Sequence, residues 1–416
     1  MPRPRWFLSL QARVMRFLMS IGLFIHKLAS PRPPSPAFNR LVQSTLSSNP
    51  GAFLISVYTP PGYEQHRRRR FESVRSGAGY PCIINYHGGG FTLGTATDDA
   101  RFIRTAISKL DCVVISVNYR LAPEHPFPTA VDDGADAVLW AADNAEELGI
   151  DPTSLTLSGF SSGGNLTLSV PIRLHDHLHS IDRPLYTTSS PPLPRTSSLH
   201  ISPLDPSSST LSLPESIPLK SASPFRPSDD PSPISHKFNI KALCPFYPST
   251  NYALPRSVRR ATNPNPAVDL PHGLTRLFDE SYIYPAHSVR LDHPYLSPGL
   301  LSNGDMRDVY AGMRVLGIGC EFDMLCREGG DAMATIAQAR GARARTTEGE
   351  TVVGFDEEGV GWRVVRAVPH GWDKRPFLSA EVSERIEREY DWVCEGLKGV
   401  LDGNGKAVAG ASTGPL

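Results

Sequence analysis

Short apolar runs rich in β-branched residues alternate with helical patterns along much of the chain, and this alternation limits the folds open to it. Such runs are typical of strands that are buried on both faces. The predicted strands are residues 52–58, 82–86, 112–117, 155–158, 238–244, 309–318 and 362–368. Helical patterns are present at residues 98–110, 129–148 and 381–401. The strand, helix, strand order predicts a mostly parallel central sheet flanked by helices.

The charge composition of the chain limits the classes of molecule that it can bind. The 416 residues carry 42 basic and 42 acidic side chains, so the formal net charge is +0. Without an excess of positive charge no long-range field attracts nucleic acid, and we predict no nucleic-acid partner. The six cysteines are scattered and several lie in apolar runs, which indicates reduced core residues and not a disulfide framework. We expect a cytoplasmic location, with membrane-associated and secreted locations left open.

Arginines flank an apolar stretch near the N-terminus. The apolar run at residues 17–25 is too short to span a bilayer. Over residues 6–28 the apolar positions recur at helical spacing with basic residues between them. This pattern predicts an amphipathic helix packed on the body of the protein. A secretory signal, or a weak contact with a lipid surface through this helix, are the alternatives.

A change in composition divides the chain. Residues 180–235 are rich in Ser and Pro and lose all periodicity, so they cannot bury enough apolar surface to offset the entropy of ordering. We predict a disordered insertion there, and whether it belongs to the functional protein is left open. The expected organisation is N-terminal cap helices at 1–45, a core at 46–179 and 236–402, a cap segment at about 250–300 within that core, and a disordered tail at 403–416.

The sequence Gly159-Phe160-Ser161-Ser162-Gly163 follows a predicted strand and precedes a helical pattern. This G-x-S-x-G context places a serine on a sharp strand-to-helix turn, where small neighbours avoid collision and the hydroxyl is exposed. The following helix points its free N–H groups and its dipole at the same place, which favours developing negative charge. We predict that Ser161 is a nucleophile. A glycine-rich turn with incidental serines is the alternative.

A run of glycines follows another predicted strand, in the sequence His87-Gly88-Gly89-Gly90. Successive glycines expose backbone N–H groups with no side chains in the way. The amides of Gly89 and Gly90 (or Gly88), together with that of Ser162, are predicted to bind the oxyanion of a tetrahedral intermediate. A flexible loop or a phosphate-binding turn is the alternative, and His87 itself is expected to be structural.

An acid and a base are expected to follow the serine along the chain, each just beyond the C-terminal end of a strand. Asp323 lies beyond the strand predicted at 309–318, with Glu321 as the weaker candidate. His370 follows the last predicted strand, and the glycine after it gives the ring room to face the serine. The order therefore predicts that Asp323 orients His370, which acts as general base for Ser161.

These motifs resemble the hormone-sensitive-lipase branch of the α/β-hydrolases, close to its fungal and bacterial esterases and lipases. The resemblance covers nearly all of the chain outside the Ser/Pro insertion, and it includes residues 118–128, NYRLAPEHPFP. It implies an α/β-hydrolase fold with a helical cap, in which residues 119–128 form a structural loop near the site. By the same resemblance, residues 6–28 and 252–300 cover the acyl pocket. The chain departs from the family at Phe160 and Ser162, where Asp and Ala are common.

The expected chemistry is hydrolysis of a small-molecule carboxylic ester through an acyl-enzyme, without a metal or an organic cofactor. His175, His177 and His179 resemble metal ligands, but alternate residues diverge on a helix, so no metal site is predicted. A catalytically silent small-ligand-binding protein on the same fold, and an esterase dedicated to a secondary metabolite, are the alternatives. A homodimer is left open.

Overall fold

The computed structural model describes residues 3–27, 34–65, 67, 79–186, 237–285, 288–343, 354–375 and 378–401. Its strands are β1 (Phe38–Gln43), β2 (Ala52–Tyr58), β3 (Tyr80–Tyr86), β4 (Val113–Asn118), β5 (Ile150–Phe160), β6 (Ile240–Phe246), β7 (Arg314–Phe322), β8 (Gly354–Glu357) and β9 (Val360–Pro369). Its α-helices are α1 (Arg5–Lys27), α2 (Ala100–Leu110), α3 (Thr129–Asp143), α4 (Ala145–Leu148), α5 (Ser162–Leu178), α6 (Arg256–Ala261), α7 (His272–Tyr282), α8 (Asn303–Val309), α9 (Cys326–Ala339) and α10 (Ala380–Leu401).

The strands of the described residues form one nine-stranded sheet in the order β1-β2-β4-β3-β5-β6-β7-β9-β8. The six central strands, which are β4, β3, β5, β6, β7 and β9, run parallel. Antiparallel strands extend the sheet at both edges. The predicted mostly parallel sheet is confirmed. Because parallel strands end at one edge, the residues just beyond Phe160, Phe322 and Pro369 come to the same side of the molecule.

Helices cover both faces of the sheet. On β3, Ile84 packs into the hydrophobic cluster that contains residues of α3 and α5, whereas its neighbour Ile83 packs into the cluster that contains residues of α2 and α10. The next strand repeats this alternation, with Ile115 on the first side and Val114 on the second. Each central strand is therefore buried on both faces, which is why its sequence is a continuous apolar run.

The N-terminal 45 residues do not consist of cap helices alone, and this expectation is corrected. The predicted helix is present as α1, where Leu8 and Ala12 are fully buried against the body. Phe38–Gln43, however, forms the edge strand β1, whose Leu41 pairs with Leu54 of β2. Only Val42 of this strand is buried, so its sequence lacks the apolar pattern that marks the central strands. Among the described helices none has the length and hydropathy needed to cross a bilayer.

The predicted boundary of the Ser/Pro insertion is also shifted. Tyr186 forms a β-bridge with Val289, and Arg183 Nε lies 2.6 Å from Asp176 Oδ2. The described body of the chain therefore continues past residue 180 to Tyr186. The rest of the predicted insertion, from residue 187, and the predicted tail at 403–416 lie outside the described residues.

Candidate active site

Ser161 sits on the turn between β5 and α5 with φ 56° and ψ −112°, a backbone conformation that non-glycine residues rarely adopt. The turn is closed by glycines. A side-chain carbon at Gly163 would overlap the carbonyl of Tyr86, and one at Gly159 would overlap the carbonyl of Gly163. The amide of Ser161 donates to the carbonyl of Phe246 at 2.9 Å, which ties the turn to the neighbouring strand. The predicted strained serine turn is therefore present.

His370 and Asp323 meet Ser161 at the C-terminal edge of the sheet. His370 Nε2 lies 2.8 Å from Ser161 Oγ, and His370 Nδ1 lies 2.6 Å from Asp323 Oδ2. Asp323 is fully buried, and its other oxygen accepts from the amide of Leu325 at 3.0 Å. A carboxylate at Nδ1 favours the tautomer with its proton there, which leaves Nε2 free to accept a proton from the serine. The weaker candidate, Glu321, pairs instead with Arg366 at 2.8 Å.

The pKa of His370 is set by two opposing effects. Burial lowers it, because the protein interior disfavours the imidazolium. The carboxylate of Asp323, through its charge and its hydrogen bond, outweighs burial, and Asp373 and Asp269 add smaller contributions. The net result is that the pKa of His370 lies above its ordinary value of 6.5. The imidazole is thus well suited to hold the proton that a nucleophile releases.

This raised pKa predicts the acid limb of the activity profile. His370 accepts a proton only when neutral, so activity falls as the pH falls through the raised pKa. We expect the limb of kcat/KM against pH for a p-nitrophenyl ester to lie above pH 6.5, the ordinary value. In Asp323→Asn the attraction is removed while burial remains, so the limb of the residual activity is expected to move to lower pH. A limb at the same pH in both proteins would contradict this assignment.

The glycine loop lies against the serine turn. A side-chain carbon at Gly88 would lie 3.0 Å from the carbonyl oxygen of Phe160 and 3.5 Å from Ser161 Cβ. Gly89 has φ 116°, and its carbonyl accepts from the amide of Leu93 at 2.8 Å, which folds the loop back on itself. Within the described residues the amides of the three predicted glycines donate no backbone hydrogen bond. They are therefore available to an acceptor at the site.

Helices α1 and α7 lie close to this loop. A side-chain carbon at Gly90 would overlap the ring of Phe278 from α7, so only glycine fits beneath that ring. The ring of Phe91 stacks on Tyr282 of the same helix with centroids 3.7 Å apart. Arg16 of α1 donates to the carbonyl of Thr92, two residues beyond Gly90, at 2.9 Å. Both segments that the resemblance assigns to a cap thus contact the glycine loop.

Residues 119–128 pack against the glycine loop and the serine turn. The hydroxyl of Tyr119 donates to the carbonyl of His87 at 2.8 Å and lies 3.4 Å from Ser162 Oγ. The rings of Tyr119 and His87 are stacked, with centroids 4.2 Å apart. Arg120 anchors this segment through Asp133, with Nη2 to Oδ1 at 2.7 Å and the backbone amide to Oδ2 at 2.9 Å. His87 is therefore a packing residue of the loop, as expected from the sequence.

The sequence motifs did not predict a group of polar residues that lies beside His370. The ring of Tyr247 meets that of His370 edge to face at a centroid distance of 4.8 Å. The hydroxyls of Tyr247 and Tyr390 donate to the two oxygens of Asp373 at 2.7 and 2.5 Å. Burial raises the pKa of Asp373, but Lys374 and these hydroxyls outweigh it and the pKa is lowered. The one sequence feature that points to this group is the position of Asp373, three residues after His370.

The departure from the family at Phe160 is accommodated beneath the serine turn. Its ring stacks on Phe246 with centroids 4.2 Å apart and is almost fully buried. The ammonium of Lys374 lies 3.2 Å from the centroid of the Phe160 ring and also pairs with Asp99 at 2.8 Å. The side chain therefore belongs to a buried aromatic layer.

A cavity of about 730 Å³ opens between α1 and the strands β2 and β4, and it is not the space above the serine. Its lining includes Arg16, Leu54 and Tyr119 but neither Ser161 nor His370. Tyr119 separates this cavity from the glycine loop, because its ring stacks on His87. Hydrogen-bond geometry, and not cavity size, therefore locates the candidate site.

Comparisons with known proteins agree with the fold. Residues 83–205 match a family model described as alpha/beta hydrolase fold. An arylesterase of Saccharolobus solfataricus is 43% identical over 95 residues, which is 23% of this chain and 31% of that protein. The carboxylesterase NlhH of Mycobacterium tuberculosis is 42% identical over 87 residues, 21% of this chain and 27% of that protein. These matches span about a quarter to a third of the relatives' own length.

Solved structures extend the comparison over the whole fold. An esterase of Pyrobaculum calidifontis has 23% identity and a TM-score of 0.58, with 93% of this chain and 92% of that chain covered. Fungal esterases of Rhizomucor miehei have 18% identity and the same TM-score of 0.58. At these identities the likeness shows the fold. The family match, the sheet and the solved structures together show the α/β-hydrolase fold, and over the matched segment the chain is similar to esterases.

Proposed function

We propose that the protein is a serine hydrolase that cleaves carboxylic esters through an acyl-enzyme. The observation that carries this proposal is the chain of contacts from Ser161 Oγ through His370 to Asp323, at 2.8 and 2.6 Å. Serine alone is a weak nucleophile, and an adjacent base that is oriented by an acid is the usual way to activate it. Relatives of the chain are named arylesterase and carboxylesterase, which supports the same reaction class.

The first half of the reaction forms the acyl-enzyme. Ser161 Oγ attacks the ester carbonyl carbon while His370 Nε2 takes the hydroxyl proton, and the carbonyl oxygen becomes an oxyanion. As the tetrahedral intermediate collapses, His370 returns that proton to the leaving alkoxide, so an alcohol departs. Asp323 stays ionised and stabilises the imidazolium between these two transfers.

The second half releases the acid. Water attacks the acyl carbonyl, and His370 Nε2 takes its proton. Collapse of the second tetrahedral intermediate breaks the bond to Ser161, and His370 returns the proton to Oγ. The products are a carboxylic acid and the regenerated serine. None of these steps routes a proton or an electron pair beyond the three side chains, the ester and water.

The oxyanion is assigned to backbone amides. The free amides of Gly89 and Gly90 (or Gly88), with that of Ser162 at the first turn of α5, are the proposed donors. Support comes from the position of Gly88 against the serine turn and from the orientation of α5, whose N-terminal end meets the site. Loss of one such donor typically lowers the rate about 10²–10³-fold. Ser162 takes part through its amide, so the departure from alanine there keeps the donor.

The proposed substrate is a small uncharged ester. The chain has no net charge, and Phe278 and Tyr282 place aromatic rings over and beside the glycine loop. We assign the cap role to α1 and to residues 250–300, because both segments contact this loop.

The six cysteines are buried and unpaired, which supports a reducing, cytoplasmic compartment.

Fluorophosphonate labelling tests the proposal directly. These probes phosphonylate only an activated serine, so we expect a stoichiometric adduct on the wild-type protein, mapped by peptide sequencing to Ser161. Pre-incubation with a p-nitrophenyl ester should slow the labelling. His370→Ala should label far more slowly, because the serine loses its base. Absence of an adduct, or an adduct on another serine of the correctly folded protein, would refute the assignment.

A further inference from the structure

The outward side of α1 carries a row of exposed apolar side chains. Trp6 is 69% exposed, Leu10 is 53% exposed and Phe17 is 65% exposed. The other members of the row are Val14, Leu18 and Ile21. At the pitch of an α-helix all six project within a sector of about 120°. We call these six residues the outer stripe.

The opposite side of α1 is already packed. Leu8 and Ala12 are fully buried, and Arg5 and Arg16 donate to the carbonyls of Pro123 and Thr92, each at 2.9 Å. The helix is therefore fixed to the body by its inner face. A helix at a protein surface normally presents polar residues to water, whereas α1 presents a second apolar face. Among the described residues nothing covers the outer stripe.

The border of the outer stripe is cationic. None of the 23 residues of α1 is Asp or Glu. Arg13 flanks the stripe with its side chain 73% exposed, and its guanidinium is only loosely paired with Glu124 at 3.7 Å. Trp6 stands at the N-terminal end of the stripe, and tryptophan favours the headgroup level of a bilayer. A helix whose exposed face is apolar, with a basic flank and no acid, has the chemistry of a helix that lies in the interface of an anionic membrane.

We propose that the outer stripe of α1 docks on the surface of a bilayer that contains anionic lipid, with the helix parallel to the membrane plane. A second copy of the chain fits this face less well. Arg13 lies midway between Trp6 and Ile21, so antiparallel two-fold pairing would place it beside the same arginine of the second copy. No acid on either helix could neutralise that repulsion. An anionic lipid surface neutralises it and buries the apolar side chains as well.

Sedimentation with sucrose-loaded vesicles tests this proposal without any hydrolysis assay. We expect the wild-type chain to bind vesicles that contain phosphatidylserine, and to bind pure phosphatidylcholine vesicles about tenfold more weakly at low salt. High salt should remove most of this difference. Leu10→Ser and Phe17→Ser should each lower the partition coefficient roughly tenfold. Arg13→Gln should weaken binding to the anionic vesicles only.

Leu178→Ser is the matched control, because Leu178 is 52% exposed and ends α5 at the side of the molecule away from Ser161. It should bind like the wild type, and circular dichroism should show that all variants are folded. No sedimentation of the wild type, or an equal loss in Leu178→Ser, would overturn the proposal. A concentration-dependent dimer that Leu10→Ser abolishes, without vesicle binding, would assign the stripe to a second copy instead. Either failure leaves the esterase proposal untouched, since no ester is cleaved in this experiment.

Discussion

Ser161→Ala should lower kcat/KM for p-nitrophenyl acetate and butyrate by roughly 10⁴–10⁶-fold. The expected loss is this large because the variant removes the atom proposed to form the acyl-enzyme, and the proposed base then has no nucleophile to activate. Substrate binding does not need the hydroxyl, so the loss should fall on kcat more than on KM. Initial-rate kinetics on both esters measure the two parameters separately.

Ser162→Ala serves as the comparison for this experiment. The neighbouring serine has its side chain 3.4 Å from the hydroxyl of Tyr119, and alanine keeps the backbone amide. We expect its kcat/KM to stay within about tenfold of the wild-type value, because the proposed oxyanion binding depends on the amide. A wild-type rate no greater than that of Ser161→Ala would exclude hydrolysis at this site. A catalytically silent ligand-binding protein would give that result.

Asp133→Ala should lower the free energy of unfolding by roughly 3–5 kcal/mol, since it leaves a buried guanidinium without its counter-charge. The side chains of Arg120 and Asp133 are 7% and 0% exposed, and Asp133 accepts from both the guanidinium and the backbone amide of Arg120. The same change loosens the segment that holds Tyr119 against His87, so activity should fall with stability. Urea unfolding followed by circular dichroism measures the first effect.

Asp356→Ala is the matched control for this pair. Asp356 also accepts two hydrogen bonds from an arginine, Arg314, at 2.6 Å each, but its side chain is 55% exposed. Water and salt screen such a pair, so we expect its loss to lower the free energy of unfolding by about 1 kcal/mol or less. Equal losses in the two variants would show that burial of the Arg120 pair does not contribute the difference.

Much of the candidate site follows from the sequence, because its residues obey a rule of position. Ser161, Asp323 and His370 each come just after a strand that the apolar pattern predicts, and the carboxyl ends of parallel strands meet at one edge. The glycine loop after β3 obeys the same rule. No knowledge of the distances between the strands is needed to expect these side chains together.

Other elements depend on local signals that the apolar pattern does not contain. The strand predicted from residue 309 begins only at Arg314, because α8 runs to Val309. A capping signal marks that helix, where Ser302 Oγ accepts from the amide of Asp305 at 3.1 Å. The position of Tyr247 against His370 has no sequence signature at all. It results from the pairing of β6 with β7 and from the burial of Asp373, and both depend on the complete fold.

The sheet order has a consequence for biosynthesis. Strand β5, which precedes the proposed nucleophile, is followed in the sheet by β6, β7 and β9, all made later than the serine turn. A nascent chain that has been synthesised only as far as β6 therefore contains Ser161 but neither Asp323 nor His370. The proposed acid and base follow the last two parallel strands, β7 and β9. The growing chain therefore acquires the complete proposed set of three side chains only when its sheet is nearly finished.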